Sequence, residues 1–199
     1  MTIKEQLDRV IAQWNLLNHP FYRAWSAGTL PVEALRDYAR EYGAFIAELP
    51  AGWRVQLDME TAHEEEEHIQ LWAQFAEALG VTIGTAERPA VRQLVMTARE
   101  LFSEPTTALG ALYAFEAQQP ATAQSKLEGL TRHYSLPEGM RPYFEVHATN
   151  HHEAEKILAR LNRLSPEGQA RALWACEQMC RTLWDALTDL TPTHLSACS

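Results

Sequence analysis

Glu60-Thr-Ala-His63-Glu64-Glu65-Glu66-Glu67-His68-Ile-Gln-Leu-Trp72 is the densest group of potential metal ligands in the chain. Around it, Leu57, Leu71, Phe75 and Leu79 recur at roughly three- and four-residue spacing, the pattern of a helix. Glu64 and His68 are four residues apart, so on a helix they stack one turn above the other and can grip one ion. Glu60 lies a further turn back on nearly the same side. A run of four glutamates is ordinarily a solvated face, and at most one or two can point inward. A carboxylate and an imidazole on one helix face also form the half-site of carboxylate-bridged di-iron centres in helix bundles.

Two other segments favour the metal reading. In His147-Ala-Thr-Asn-His151-His152-Glu153-Ala-Glu155, His147 and His151 are one helical turn apart and Glu155 continues that face. His152 points roughly 100 degrees away from His151. Glu116 lies in the apolar stretch Gly110-Ala-Leu-Tyr-Ala-Phe-Glu116-Ala-Gln-Gln-Pro120. A lone carboxylate there costs several kcal/mol unless a cation or strong hydrogen bonds compensate it. Carboxylates with imidazoles, rather than thiolates, suit iron or manganese better than a structural zinc.

The rest of the chain reads as helices joined by short Pro/Gly connections. Apolar periodicity predicts helices over 3–17, from Pro20 through Trp25, over 31–49, from Pro50 to the stop at Gly80, and over 89–102. Further helices are expected over 105–134 with a kink at Pro120, within 137–164, and from Pro166 to about Leu190 with Ser165 as N-cap. Nothing reads as a strand. The expectation is one all-α domain of seven or eight helices over 1–190, followed by a flexible tail over 191–199 that contains Cys198.

With 199 residues, 46% hydrophobic and 22% charged, the chain is long enough for one core of ordinary size. A net charge of −9 argues against nucleic acid, which needs a basic face. No apolar run is long enough for a membrane helix, the N-terminal residues are not those of a signal peptide, and a cytoplasmic location is expected. Cys176 and Cys180, one turn apart, are expected to be reduced, half-buried small apolar residues.

Several blocks, taken in order, carry a family resemblance: His19-Pro-Phe-Tyr22-Arg-Ala-Trp, Tyr38-Ala-Arg-Glu-Tyr42, His68-Ile-Gln-Leu-Trp72, Ala111-Leu-Tyr-Ala-Phe-Glu116-Ala-Gln-Gln-Pro120, Lys126-Leu-Glu-Gly-Leu130 and Tyr143-Phe-Glu-Val-His147. They resemble the heme-oxygenase-like oxidases of the chlamydial CADD type (Chlamydia protein associating with death domains), related to the TenA and PqqC families. The resemblance implies a heme-oxygenase-like bundle, often a homodimer, with two metals (iron and/or manganese) and no heme. It also implies O₂ as co-substrate and an external reductant. CADD-like enzymes make para-aminobenzoate for folate synthesis, consuming their own tyrosine as the ring, with a lysine implicated as amino donor. Tyr22 falls on the tyrosine position, Lys126 on the lysine position, and His68, Glu116 and His147 on three ligand positions.

The chain departs from the family pattern elsewhere. Thr61 stands where the family has a glutamate seven residues before His68, and Glu64 or Glu60 is the expected substitute. His151 and Ala154 stand where the family has aspartate and histidine, with Glu155 beside the second. The expected ligand set is therefore Glu60, Glu64, His68, Glu116, His147, His151 and Glu155. The alternatives are an oxidase of the same fold acting on a small amine or fatty acid, a TenA-like thiamin-pyrimidine hydrolase, and a non-catalytic ligand-binding bundle. The hydrolase needs a nucleophilic cysteine in the core, whereas the cysteines lie only at 176, 180 and 198.

Overall fold

The computed structural model describes residues 1–135 and 137–196. Among them the chain forms twelve α-helices and two short 3-10 turns, and no strand. Helix α1 (Ile3–Gln13) opens with a capping box between Thr2 and Glu5. Helix α2 (Pro20–Ser26) begins with Pro20, whose missing N–H has no helical partner to lose there. The His19 Nδ1 accepts the Phe21 N–H at 3.1 Å and caps the same end.

Helix α3 (Val32–Ile46) leads into α4 (Leu49–Val55) through Ala47 and Glu48, which both keep right-handed conformations. The single helix expected from Pro50 to Gly80 is in fact two. Leu57 turns left-handed at φ 58 and is 87% exposed, and Asp58 then caps α5 (Met59–Ala78) by accepting the Thr61 N–H. A left-handed leucine costs about 1–2 kcal/mol. Arg160 clamps the break, donating to the Gln56 carbonyl at 3.1 Å and to Asp58 Oδ2 at 2.8 Å. Gly80, at φ 77, stops α5 as the sequence predicts.

Helix α6 (Pro89–Leu101) precedes α7 (Pro105–Glu116), which is buried on every side from residue 107 onward. The expected kink separates α7 from α8 (Gln119–His133), with Pro120 in the first turn of α8. Gln118 pins this bend: its amide donates to the Ala114 carbonyl and accepts the Leu16 N–H. The run expected over 137–164 divides into α9 (Pro142–Ala148) and α10 (His152–Leu161).

Helix α11 (Pro166–Leu190), capped by Ser165, is the long spine of the fold and packs on α6 and α7. At Gly110 the two backbones come so close that an added Cβ would sit 1.8 Å from the Ala172 carbonyl oxygen. Helix α12 (Thr193–Ser196) packs on α2, with Leu195 half-buried against the core. Most of the expected flexible tail is therefore part of the fold, while Cys198 lies outside the described residues. Cys176 and Cys180 are free thiols and fully buried rather than half-buried.

Twelve helices arise in place of seven or eight because the backbone is interrupted at 56–58, 117–118 and 149–151 within runs expected to be single helices, and because α12 adds one more after α11. No helix among the described residues is long and apolar enough to cross a membrane.

Candidate metal centre

Helix α5 buries one narrow stripe: Thr61, Glu65, His68, Trp72, Phe75 and Ala76. This stripe selects the inward acid. Glu65, three residues before His68, is 1% exposed, while Glu60, Glu66 and Glu67 face solvent and Glu64 is only partly covered. The expected ligands Glu60 and Glu64 are thus displaced by Glu65, because α5 is rotated by about one residue from the assumed face. Thr61 is fully buried and receives a hydrogen bond from Lys156 Nζ at 2.9 Å.

The opposite wall shows a second change of register. His147 ends α9, residues 149–151 leave the helical path, and α10 begins at His152. His151 is consequently an exposed N-terminal residue and Glu155 an exposed one, and both line a surface cleft of about 260 Å³ beside Lys4 and Asp8. Neither reaches the centre, since their expected stacking on His147 required one unbroken helix. Glu153 points inward instead, one turn before Ile157 on the buried stripe of α10. A count back from Ile157 and Leu161 finds Glu153, and a count back from Phe75 and Trp72 finds Glu65. Those two stripes are the signal in the sequence that marks both residues.

Five buried side chains from four helices therefore converge: Glu65 and His68 (α5), Glu116 (α7), His147 (α9) and Glu153 (α10). They form two overlapping groups, Glu65/His68/His147 and Glu65/Glu116/Glu153. In each group, donor atoms lie within 4.8 Å of one another. Glu65 belongs to both and could offer a carboxylate oxygen to either. His68 and His147 meet edge to face at a centroid distance of 4.4 Å.

Among the described residues, both oxygens of Glu65 and of Glu116, Glu153 Oε1, His68 Nδ1 and His147 Nε2 are buried without a hydrogen-bond partner, with His68 Nδ1 lying 3.4 Å from Glu65 Oε1. Buried polar atoms are normally satisfied, so orphaned atoms gathered in these two overlapping groups fit a cation. The His147 Nδ1 lies 2.7 Å from the Tyr143 carbonyl. A carbonyl only accepts, so Nδ1 carries the proton and Nε2 presents its lone pair to the cluster. Burial, reinforced by His68, lowers the His147 pKa to about 3, which keeps the ring neutral and able to ligate. At His68 burial pulls the other way, but Glu65 and the other carboxylates hold its pKa above the ordinary value. Burial, and then mutual repulsion with Glu153 and Glu65, pushes Glu116 well above the usual carboxylate range. Burial and Glu65 raise Glu153 as well. A dication that binds among such acids would displace their protons into solvent.

Tyr22 and Lys126 form a separate group nearby. The Tyr22 and Tyr38 hydroxyls are 3.0 Å apart, and Lys126 Nζ donates to Tyr38 at 3.2 Å. Nζ also lies 4.6 Å from the centroid of the Tyr22 ring. Lys126 is 3% exposed and has no carboxylate partner among the described residues, and burial lowers its pKa to about 7. Contacts between aromatic rings connect the two groups. Tyr143 stacks on His147 at 4.2 Å, Trp72 meets Tyr143 at 4.8 Å, and Tyr38 meets Trp72 at 5.4 Å.

Comparison with known proteins places this arrangement. Residues 37–184 match the heme-oxygenase-type family described as iron-containing redox enzymes. A 4-aminobenzoate synthase of Nitrosomonas europaea is 33% identical over 94% of this chain and 89% of its own length. Another 4-aminobenzoate synthase, from Chlamydia pneumoniae, is 31% identical over 92% of each chain. A Shewanella denitrificans domain of unknown function with a heme oxygenase-like fold superposes with a TM-score of 0.78 at 16% identity, covering 96% of this chain and 92% of that one. The heme-oxygenase-like expectation thus holds, and with a buried Glu/His cluster at its centre the chain belongs to the family of iron-containing redox enzymes.

Proposed function

We propose that this protein forms 4-aminobenzoate, with its own Tyr22 as the source of the ring and Lys126 as the nitrogen donor. The single observation that carries the reading is the buried Lys126 amine held against the Tyr22 ring, with no acid paired to it among the described residues. The names of the relatives supply the product class.

Glu65, His68, Glu116, His147 and Glu153 would hold two ions, iron, manganese or one of each. Bound there, the ions supply activation of O₂, with electrons from an external reductant. The chain's own residues do the rest. Converting a tyrosine ring to aminobenzoate requires cleavage of the Tyr22 Cα–Cβ bond with oxidation of Cβ to a carboxylate by O₂, and replacement of the phenolic oxygen, lost as water, by the Lys126 nitrogen, whose Cε–Nζ bond breaks. Lys126, with a pKa near 7, offers an unprotonated nitrogen at neutral pH, which an exposed lysine does not. Tyr38 fixes both partners, hydrogen-bonding the Tyr22 hydroxyl and the Lys126 amine. The aromatic contacts through Tyr143 and Trp72 connect the ligand His147 to this pair. The surrounding burial excludes water from both groups. The reading also includes assembly as a homodimer, which sedimentation of the metal-loaded protein checks.

The test uses protein labelled with ring-¹³C tyrosine or ¹⁵N-lysine, loaded with iron and manganese and exposed to O₂ and reductant. Labelled 4-aminobenzoate and a matching mass loss at Tyr22 and Lys126 are expected. An unlabelled product formed from an added compound, with Tyr22 and Lys126 intact, would instead establish an oxidase of an external substrate.

A further inference from the structure

The carboxylates of the centre are buried, so an ion has to be passed to them from the surface. Glu65, Glu116 and Glu153 are each no more than 2% exposed. On the outer side of Glu153, His152 Nε2 and Glu64 Oε2 lie 3.9 Å apart. Donor atoms of Glu64, His152 and Glu153 all fall within 4.8 Å of one another. Exposure declines inward through these residues, from 53% at the His152 side chain and 40% at Glu64 to 2% at Glu153.

This differs from an ordinary acidic surface. Among the described residues, Glu153 Oε1 is buried and has no hydrogen-bond partner, and Glu64 Oε2 is likewise buried without one although the rest of its side chain reaches solvent. Water satisfies the oxygens of a solvated glutamate, whereas these two are turned toward a common point with an imidazole beside them. Glu153 belongs both to this outer group and to the inner carboxylate group of Glu65 and Glu116.

We infer that Glu64, His152 and Glu153 form a third, peripheral site for a first-row divalent cation, and that Glu153 hands the ion from this site to the buried centre. The inference rests on the buried cluster holding metal, as proposed above. Two carboxylates and one imidazole suit manganese, iron or cobalt. Partial exposure leaves room for water ligands, so the outer site binds more weakly and releases faster than the inner one. Two of the four helices that build the centre take part: α5 supplies Glu64 next to Glu65, and α10 supplies His152 next to Glu153.

The test compares chelator-stripped wild-type protein with His152→Ala and Glu64→Gln, surface changes whose folding is checked by circular dichroism and thermal melting. Titration with Mn²⁺ alone, followed by the electron paramagnetic resonance of the free ion, counts sites. Stopped-flow absorbance with Co²⁺ follows filling of the centre. Wild type is expected to take up one more, weaker Mn²⁺ than either variant. Both variants are expected to fill the centre about tenfold more slowly, to the same final Co²⁺ spectrum. Equal stoichiometry in all three proteins overturns the inference, as does loss of the weak ion with no change in filling rate. If wild type holds no tight Mn²⁺ at all, the buried centre itself fails, and this inference with it.

Discussion

Lys126 Nζ lies 4.6 Å from the centroid of the Tyr22 ring, with the Tyr38 hydroxyl its only hydrogen-bond partner among the described residues. A buried ammonium without an acid is costly, so the side chain responds by losing its proton near pH 7. The yield of 4-aminobenzoate in a single turnover should therefore rise through about pH 7 and then level off. A yield independent of pH from 6 to 9 would remove the neutral amine from the proposal.

The same shift affects stability. Between about pH 7 and the ordinary lysine value, the unfolded chain carries a proton at this position that the folded chain lacks. Stability from this group thus rises with pH across that window, and below it the full penalty is present. Lys126→Met should abolish product yet melt at a higher temperature than wild type at pH 6, with a smaller gain at pH 9. Melting curves at the two pH values decide this.

Tyr22→Phe removes one hydroxyl and its contact with Tyr38 while keeping the ring in place. The expected loss of stability is about 1 kcal/mol, the scale of one hydrogen bond. The expected loss of product is complete, because phenylalanine lacks the phenolic oxygen that the proposed chemistry replaces. Chemical denaturation and quantification of 4-aminobenzoate measure the two effects separately.

The rotation of α5 makes adjacent glutamates behave differently. Glu65→Gln should remove most tightly bound metal, since Glu65 belongs to both ligand groups. Glu64→Gln should leave the tightly bound content, measured by elemental analysis after desalting, at the wild-type level. Reversed results would place Glu64 in the centre, as simple one-turn stacking on His68 suggests.

Gly110 tests the packing of the spine. A methyl group there would meet the Ala172 carbonyl oxygen, a backbone atom that cannot swing aside. Gly110→Ala should cost about 1–3 kcal/mol and lower the urea midpoint. Because α7 also carries Glu116, weaker metal retention should accompany the loss.

The sequence marked His68, Glu116 and His147, and failed at their neighbours for a definable reason. On a helix, residues three and four apart both lie one turn away, so Glu64 and Glu65 are equally plausible partners for His68 until the phase of the helix is known. The glutamate run carries no apolar residue to set that phase locally. Trp72 and Phe75 set it from further along the helix, and only Glu65 and Thr61 extend their stripe. At the other wall, reading His147 through Glu155 as one helix put His151 and Glu155 on the ligand side. The interruption at 149–151 turns them out and Glu153 in.

By itself, then, the amino-acid sequence determined the all-helical architecture, the helix stop at Gly80, the helix start at Ser165-Pro166, the kink at Pro120, and the presence of acids and imidazoles that need a cation. Those features depend on local backbone preference and on apolar periodicity, both written in neighbouring residues. Tertiary structure alone decided which members of each polar run face inward. That choice depends on the rotation of a helix about its axis and on breaks such as Leu57–Asp58, held by Arg160 from a distant helix. Packing energy from distant residues sets both.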